Sequence, residues 1–566
     1  MAKPSDTAPI SSAGMSRRWV PPPRRRRLAV LLPLGLAAAA LLWLFCARSP
    51  RVRSPAFPPS TSCRGSLSNL CPPGDDLFLP PEALQRGLAS LGSLHRMGRV
   101  VRRLQAGLSV HVVTVGGSTT SGRGAYRGNS YPARFVRWLN AAYPCRGKNE
   151  ACHKLSNAGM GATPSALFAI CLDKLVPLNG DLYVLEFAIN DSWNAAIDSG
   201  SRASFEILLR RLLRLERAPA VALLQQSSLK RPQARFYTSA ESHLDVLAQY
   251  YDLPSLSMRN AVFQLAHEDA AGFRLGTTVN DGFKARNLST PASEKEPERS
   301  WEREYLYFDI THPADRTGHA VLADLLKGLC RAAERKLDCV RRREEAGVML
   351  HAPAALPGKE GTVKGFPPTW ASFEGPSGGK RVGLPPPMLP GGEASTTVCM
   401  TQDEFRGAVS QARGFAWKAM KPEAKSRVDQ KWNMIGSEPG DYLELDVDTT
   451  LGGGSKAKDA GASDRALLVL GVVRSFQLVG KARLECVRGC ACEPKILDAR
   501  WTERSTQNVL MPHEVTRHPE CRVRVTVVEE TATESHRFML SALVVAPLGT
   551  RMPYFAENQG DKLIRA

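Results

Sequence analysis

The chain has 566 residues, with 75 Lys and Arg against 55 Asp and Glu, which gives a formal net charge of +20 at pH 7. Because a domain typically holds roughly 100–200 residues, this length excludes a single small domain, and 43% hydrophobic with 23% charged residues excludes a wholly disordered chain. The basic residues are dispersed, with no long Lys/Arg block beyond the N-terminus, so a nucleic-acid partner is not expected.

The N-terminal region predicts a membrane anchor. Residues 1–27 are rich in Pro, Ser and Arg and are predicted to be a disordered cytosolic tail. Residues 28–47 carry no charge and form about 30 Å of helix, enough to span a bilayer. The larger positive charge before this run predicts a single-pass type II membrane protein of the Golgi or secretory pathway, with the remainder luminal or extracellular. A cleaved signal peptide is the less favoured alternative, and residues 48–100 are interpreted as a stalk.

Cysteine usage agrees with an oxidising compartment. Twelve of the 13 cysteines follow the apolar run, which predicts up to six disulfides of undetermined pairing. A zinc site formed by four of these cysteines is the less favoured alternative to disulfides. The four are Cys486, Cys490, Cys492 and Cys521, and their spacing is not that of a standard zinc finger. Asn287 begins an Asn-Leu-Ser acceptor sequence for N-glycosylation.

Residues 101–345 alternate short apolar runs with helical patterns. This alternation is typical of an α/β domain, a flavodoxin-like parallel sheet with helices on both faces. Strands are predicted at 110–116, 154–158, 181–188, 219–224 and 254–258, and helices near 132–143, 164–175, 203–215, 240–251 and 317–335.

The pattern changes after residue 345. Residues 346–397 are dense in Pro and Gly and predict a linker. Residues 398–550 contain alternating runs bounded by turn residues and predict a β-sandwich domain, and residues 551–566 are interpreted as a tail. Strands of the sandwich are predicted at 441–448, 466–475, 480–487, 521–529 and 536–546.

Polar and glycine-rich turns follow three of the predicted parallel strands. These turns begin at Gly116, Asn157 and Ala188, where ligands bind in open α/β sheets. Much later, Asp309 precedes His312 by three residues, so it can accept the Nδ1 proton and leave Nε2 facing a serine. Each feature alone is more simply explained as a turn former or helix cap, but together they supply a nucleophile, backbone and amide donors and an Asp–His pair in the order that one known architecture requires.

In these turns the sequence resembles the SGNH hydrolase superfamily, also called GDSL-like esterases, over about residues 105–340. The resemblance implies that Ser118, in Gly-Gly-Ser-Thr, is the nucleophile. Gly117 departs from the Gly-Asp-Ser of many members, and Ala188 replaces a usual glycine. The C-terminal domain resembles, in its arrangement, the domain that follows an SGNH domain in some algal and plant-like membrane proteins.

The resemblance also implies the remaining site residues. His312 and Asp309 would complete the triad, and the oxyanion hole would be formed by Ser118, Gly161 and Asn190, with Gly159 as an alternative to Gly161. Asn190 begins a glycosylation sequon, which we expect to be unmodified because a sugar would block the site. The implied chemistry needs no metal and no cofactor.

Two functions follow. The first is a membrane-anchored serine esterase with an acyl-enzyme mechanism, an O-acetyl esterase or O-acyltransferase whose partner is an acylated polysaccharide or glycan. The alternative is a catalytically inactive glycan-binding or structural protein on the same scaffold. Trp417, Trp432 and Trp501 are interpreted as core residues of the sandwich, although aromatic faces also stack on sugars. The oligomeric state does not follow from the sequence.

Overall fold

The computed structural model describes residues 77–550 apart from 127, 148–150, 230–235, 237–238, 289–298, 346–383, 393–396, 421, 423–430, 452–462 and 503–504. All of the described residues belong to residues 63–566, the second of two units into which the chain divides. The predicted cytosolic tail, the predicted anchor, the C-terminal tail and most of the predicted linker lie outside the described residues.

The first domain is built on a five-stranded parallel sheet in the order β2-β1-β3-β4-β5. Its central strands are apolar runs buried on both faces, as expected when helices cover both sides of a sheet. The prediction of a parallel sheet is therefore confirmed. The strands are β1 (His111–Gly116), β2 (Lys154–Asn157), β3 (Leu182–Glu186), β4 (Ala220–Gln225) and β5 (Ser255–Ser257).

Two hydrophobic cores lie on the two faces of this sheet. In one core, α1, α2, α4, α9 and α11 pack against the sheet. In the other core, the four helices α5, α6, α7 and α8 pack against its opposite face. A short 3-10 helix spans Ser300–Glu304. The helices are α1 (Pro81–Gly87), α2 (His95–Gln105), α3 (Ser118–Ser121), α4 (Tyr131–Ala142), α5 (Ser165–Ile170), α6 (Leu172–Leu175), α7 (Gly200–Leu213), α8 (Ala240–Tyr250), α9 (Met258–His267), α10 (Val279–Ala285) and α11 (Gly318–Glu345).

Part of the predicted stalk belongs to this domain, which corrects the interpretation of residues 48–100. Helices α1 and α2 pack into the core, where Leu84, Met97 and Val101 are buried. The apolar positions of α2 recur with helical spacing, at Met97, Val100, Val101 and Leu104. Four arginines, Arg96, Arg99, Arg102 and Arg103, surround this stripe and give it the appearance of a solvated segment.

The described end of the predicted linker, residues 384–392, is also packed against the first domain, which corrects that interpretation. Leu389 is buried in the second core. The carboxylate of Glu206 accepts from the amides of Met388 and Leu389 at 2.6 and 2.9 Å, and Arg210 donates to the carbonyl of Pro385 at 2.6 Å. Because most of these contacts are made by backbone groups, the segment has no periodic pattern of apolar side chains that would predict its packing.

The second domain consists of antiparallel strands in two sheets, ordered β13-β12-β15-β10-β7 and β14-β11-β16-β9-β8, with β6 paired to β16. The predicted C-terminal β domain is therefore confirmed. A short helix, α12, spans Gln402–Gly407. The strands are β6 (Val398–Thr401), β7 (Val409–Arg413), β8 (Ala416–Ala419), β9 (Trp432–Gly436), β10 (Tyr442–Val447), β11 (Arg465–Ser475), β12 (Lys481–Arg488), β13 (Lys495–Asp498), β14 (Thr506–Thr516), β15 (Cys521–Val527) and β16 (Phe538–Pro547).

The two domains are joined by an apolar contact and a disulfide. Leu167 and Ile170 of α5 pack against Val469, Leu510 and Val544 of the β domain. Cys171, directly after α5, is bonded to Cys399 of β6. This contact fixes the turn after β2 relative to the β domain.

Four disulfides join two cysteines that both belong to the described residues. Besides the bond between the domains, Cys145 pairs with Cys152. Cys486 pairs with Cys492 and Cys490 with Cys521, so the sulfur atoms of the alternative zinc site are engaged in covalent bonds.

The predicted localisation requires a correction. Among the described helices, none combines the length and apolar character needed to cross a membrane, which contradicts the assignment as a single-pass type II membrane protein. Residues 28–47, on which that assignment rested, lie outside the described residues. The disulfides indicate an extracellular or secretory location.

Candidate active site

Ser118 lies on a sharp turn at the carboxyl end of β1. The strand ends at Gly116, Gly117 has φ −88°, and the one-turn helix α3 begins at Ser118. Both glycines are in tight places: a Cβ at Gly116 would overlap Thr120 Oγ1, and one at Gly117 would overlap Asn190 Oδ1. The turn therefore depends on two residues without side chains.

The predicted triad residues lie in one hydrogen-bonded row. Ser118 Oγ lies 2.7 Å from His312 Nε2. His312 Nδ1 lies 2.9 Å from both carboxylate oxygens of Asp309. Ser118 and His312 are separated by 194 positions in the chain. They meet because the carboxyl end of β1 lies beside the loop that contains Asp309 and His312. This order of atoms lets Nε2 accept the serine proton.

Asp309 is held in its charged form. Burial acts to raise the pKa of this carboxyl, but the hydrogen bond and charge of His312 and the amides of Thr311 and His312 outweigh burial and lower the pKa to about 2. Both amides donate to Oδ1 at 2.9 Å. Asp309 is therefore ionised at neutral pH and accepts the Nδ1 proton of His312 there.

Residues after β4 fix the loop that carries Asp309 and His312. Gln226 Nε2 donates to the carbonyl of Thr311 at 3.1 Å, and Ser228 Oγ donates to the carbonyl of Ile310. The loop also closes on itself, because the amide of Phe308 donates to the carbonyl of His312 at 2.8 Å. These anchors were not predicted, since the end of β4 carries no recognisable motif.

Gly161 lies beside the serine. A Cβ built on Gly161 would lie 3.6 Å from Ser118 Cβ. Gly159, the alternative, already donates its amide to Asn157 Oδ1 at 2.9 Å and faces the backbone of Thr120 and Ser121. Gly161 is therefore the better placed of the two to offer an N–H to a group bound at Ser118.

Asn190 lies in a turn with a buried support. Its neighbour Asp191 accepts from the amide and the hydroxyl of Ser165 at 2.9 and 2.8 Å. Burial raises the pKa of Asp191 to about 6, although the charge of Arg202 opposes the increase. Arg202 is itself buried and donates to the carbonyl of Ser192 at 2.6 Å. Asp191 and Arg202 thus fix the turn, and they were not singled out from the sequence.

The β domain contributes to the surroundings of Ser118. The amide of Asn508, in β14, donates to the carbonyl of Ala162 at 2.7 Å. Ala162 follows Gly161 and has a φ of 60°, a conformation that costs energy in a residue with a side chain. Lys431 Nζ lies 3.1 Å from the position that a Cβ of Gly161 would take. The loop after β2 is therefore held partly from the second domain.

A cleft of about 990 Å³ opens between the domains next to this loop. One wall contains residues 159–163, and the other contains Trp417, Lys431 and Trp432. Trp432 is 52% exposed, which corrects its interpretation as a core residue, whereas Trp501 is buried. Trp432 is the first residue of β9, at the end of the strand next to the cleft, where no second layer covers it.

No family model and no curated protein matches the chain. Among solved structures, it is similar to a two-domain esterase active on acetylated mannans, with 18% identity and a TM-score of 0.51 over 82% of this chain and 98% of that one. It is also similar to a possible lipase from Chitinophaga pinensis, with 17% identity and a TM-score of 0.26 over 42% of this chain and 99% of that one. The first similarity shows that the chain shares the two-domain fold of that esterase.

Proposed function

We propose that the protein is an SGNH-type serine esterase, an O-acetyl esterase or O-acyltransferase that acts on an acylated polysaccharide or glycan. The observation that carries this proposal is the row Ser118, His312 and Asp309, with 2.7 Å between Ser118 Oγ and His312 Nε2. A serine hydroxyl is a weak nucleophile until a base accepts its proton. The row supplies that base together with the carboxylate that orients it.

The reaction would proceed in two halves. His312 Nε2 takes the proton of Ser118 as Oγ forms a bond to the ester carbonyl carbon, and amides of Ser118 and Gly161 with the side-chain NH2 of Asn190 stabilise the oxyanion. The carbonyl re-forms, the bond to the sugar oxygen breaks, and the leaving oxygen takes the proton from His312. Water, or a hydroxyl acceptor in a transferase, then loses its proton to His312 as its oxygen bonds to the acyl carbon. The bond from that carbon to Ser118 Oγ breaks, and Oγ takes the proton back from His312.

The cleft supports a carbohydrate substrate. It begins at residues 159–163 beside Ser118 and extends to the exposed indole of Trp432 and the partly exposed one of Trp417. Indole faces present a rigid apolar surface with a polar N–H, which suits the flat face of a sugar ring. The structurally similar two-domain esterase is active on acetylated mannans. A polymer chain lying in the cleft would bring its ester to Ser118.

A fluorophosphonate probe tests for an activated serine. We expect the probe to label the wild-type protein at Ser118, with the adduct located by mass spectrometry, because only a deprotonated hydroxyl attacks phosphorus readily. The variant His312→Ala should be labelled at least about 100-fold more slowly, since general-base assistance is typically worth 10²–10⁴-fold. Absence of labelling in the folded wild-type protein would instead support the catalytically inactive glycan-binding alternative, which the tryptophan-lined cleft would also serve.

Removal of the indole of Trp432 tests the role of the cleft. We expect Trp432→Ala to raise KM for an acetylated polysaccharide by about tenfold, the equivalent of about 1.4 kcal/mol of lost contact, and to leave turnover of p-nitrophenyl acetate unchanged. Steady-state kinetics on both substrates measure the effect. Leu478→Ala is the control, because Leu478 is equally exposed at 52% but does not line the cleft. An equal KM for both variants on the polymer would remove Trp432 from substrate binding.

A further inference from the structure

A buried acid lies directly beneath the turn that carries Ser118. Glu186 is the last residue of β3 and pairs with Gly116 of β1. Its side chain is 1% exposed. The mechanism proposed above gives this carboxyl no part, and burying an acid in the centre of a sheet is costly unless it makes compensating contacts.

The contacts of Glu186 all lead to the nucleophile turn. Thr120 Oγ1 donates to Glu186 Oε2 at 2.9 Å. The amides of Gly117 and Thr120, on either side of Ser118, also face this carboxyl and act to lower its pKa. Oε1 has no hydrogen-bond partner among the described residues. Among the described residues, the hydrogen bonds of this side chain thus go to the segment that precedes and follows Ser118.

A chain of hydrogen bonds continues from Thr120 to the helix that follows His312. Tyr131 and Thr120 share a hydroxyl contact at 2.8 Å, and the amide of Tyr131 lies 3.2 Å from His319 Nδ1. His319 Nε2 lies 3.0 Å from the carbonyl of Arg123. The amide of Arg123 then donates to the carbonyl of Ser118 at 2.8 Å. The turn of Ser118 is therefore fixed from below by β3 and from the side by α11.

We propose that Glu186 is a positioning residue that holds the turn of Ser118, so that Oγ points at His312 and the Ser118 amide remains available for the oxyanion. This inference rests on the proposed esterase function. The carboxyl engages Thr120 and faces the amides of Gly117 and Thr120, and the amide of Ser118 between them is left for the substrate. A precise turn matters because small displacements of a reacting atom cost large factors in rate.

The protonation state of Glu186 gives the proposal a distinctive signature. Burial raises the pKa of Glu186 to about 8, and the charge of nearby Asp191 adds to the increase. Burial also raises the pKa of Tyr131 well above its usual value and lowers the pKa of His319 to about 3, so both remain neutral around pH 8. Above pH 8 Glu186 acquires a negative charge beneath the position of a developing oxyanion, and the rate should fall.

The test compares Glu186→Gln and Glu186→Leu with the wild type on p-nitrophenyl acetate. For the wild type we expect kcat to fall about tenfold between pH 7 and pH 9, since one tenth of a group with a pKa of about 8 remains protonated at pH 9. Glu186→Gln keeps an acceptor for Thr120 but cannot ionise, so it should retain at least about a third of the kcat at pH 7 and lose the fall. Glu186→Leu should lower kcat about 100-fold with KM within about threefold.

Glu241→Gln is the matched control. Glu241 is equally buried, its pKa is raised to about 7 by burial, and it binds Ser257 and Arg259 away from the turn of Ser118. The alkaline fall should persist in this variant. An unchanged pH profile in Glu186→Gln, or a wild-type kcat in Glu186→Leu, would overturn the proposal. If Glu186→Leu does not fold, the profile of Glu186→Gln decides.

Hydrogen exchange separates failure of this inference from failure of the proposed function. If the wild type turns over no ester, the esterase proposal fails, but the positioning role is still measured by amide exchange in residues 117–121. We expect Glu186→Gln to preserve protection and Glu186→Leu to increase exchange about tenfold, because loss of an anchor increases local opening. Equal exchange in wild type and Glu186→Leu would overturn the positioning role regardless of activity.

Discussion

Replacing Ser118 with alanine is expected to lower kcat on p-nitrophenyl acetate by about 10⁴-fold or more, the range seen when a nucleophile is removed from a catalytic unit. The substitution removes one oxygen atom and its bond to His312 Nε2 but should leave the helical turn intact, because the N-cap of α3 is Gly117 and not Ser118. The thermal midpoint and the circular dichroism spectrum should match those of the wild type. Steady-state turnover of p-nitrophenyl acetate and release of acetate from an acetylated glycan measure the effect.

Ser109→Ala is the control for this substitution. Ser109 is exposed and lies two positions before β1, at the opposite end of the strand from Ser118. It carries the same change in composition without touching the site, so its kcat should equal that of the wild type. If Ser118→Ala retains more than a small fraction of the wild-type rate, Ser118 is not the nucleophile, and the esterase proposal fails with it.

The parallel sheet was predictable because its strands are short apolar runs with no competing pattern. The run predicted at 110–116 is β1 at His111–Gly116, and the run predicted at 219–224 is β4 at Ala220–Gln225. Several strands of the β domain gave no such signal. In β7, Val409–Arg413, four of five side chains are exposed, so no alternation marks it. Edge strands are defined by the neighbour they pair with, which a single sequence does not reveal.

The candidate site divides in the same way. The proposed site residues can be found from short sequence motifs, because the residue types in their turns are characteristic. These residues are Ser118, Gly161, Asn190, Asp309 and His312. Their supports cannot be found in this way. For Glu186 the only signal is an acid at the end of an apolar strand, and its role depends on Thr120, 66 positions away. The wall formed by Trp432 depends on the packing of two domains.

Gly117 is the departure from the Gly-Asp-Ser pattern that kept an inactive scaffold in consideration. The structure gives this residue a steric reason. A Cβ at position 117 would overlap Oδ1 of Asn190 and come within 2.9 Å of Nδ2. An aspartate in this turn would therefore displace the side chain proposed to bind the oxyanion. The glycine is compatible with a working site and is a condition for this position of Asn190.

Gly117→Ala is accordingly expected to lower kcat by about 10²–10³-fold, the usual loss when one oxyanion-hole donor is removed. The collision of the new Cβ with the Asn190 side chain is the cause of this expected loss. Kinetics of Gly117→Ala, Asn190→Ala and the double variant test this assignment.

Because both substitutions remove the same donor, the double variant should be no slower than the slower single variant, whereas independent effects would multiply. Gly276→Ala is the control, since a Cβ there meets no atom within 4 Å. A wild-type rate in Gly117→Ala, or multiplied losses in the double variant, would show that Asn190 does not depend on the glycine. The role of the Asn190 side chain would then be decided by Asn190→Ala alone, which should lower kcat about 10²–10³-fold if that side chain binds the oxyanion.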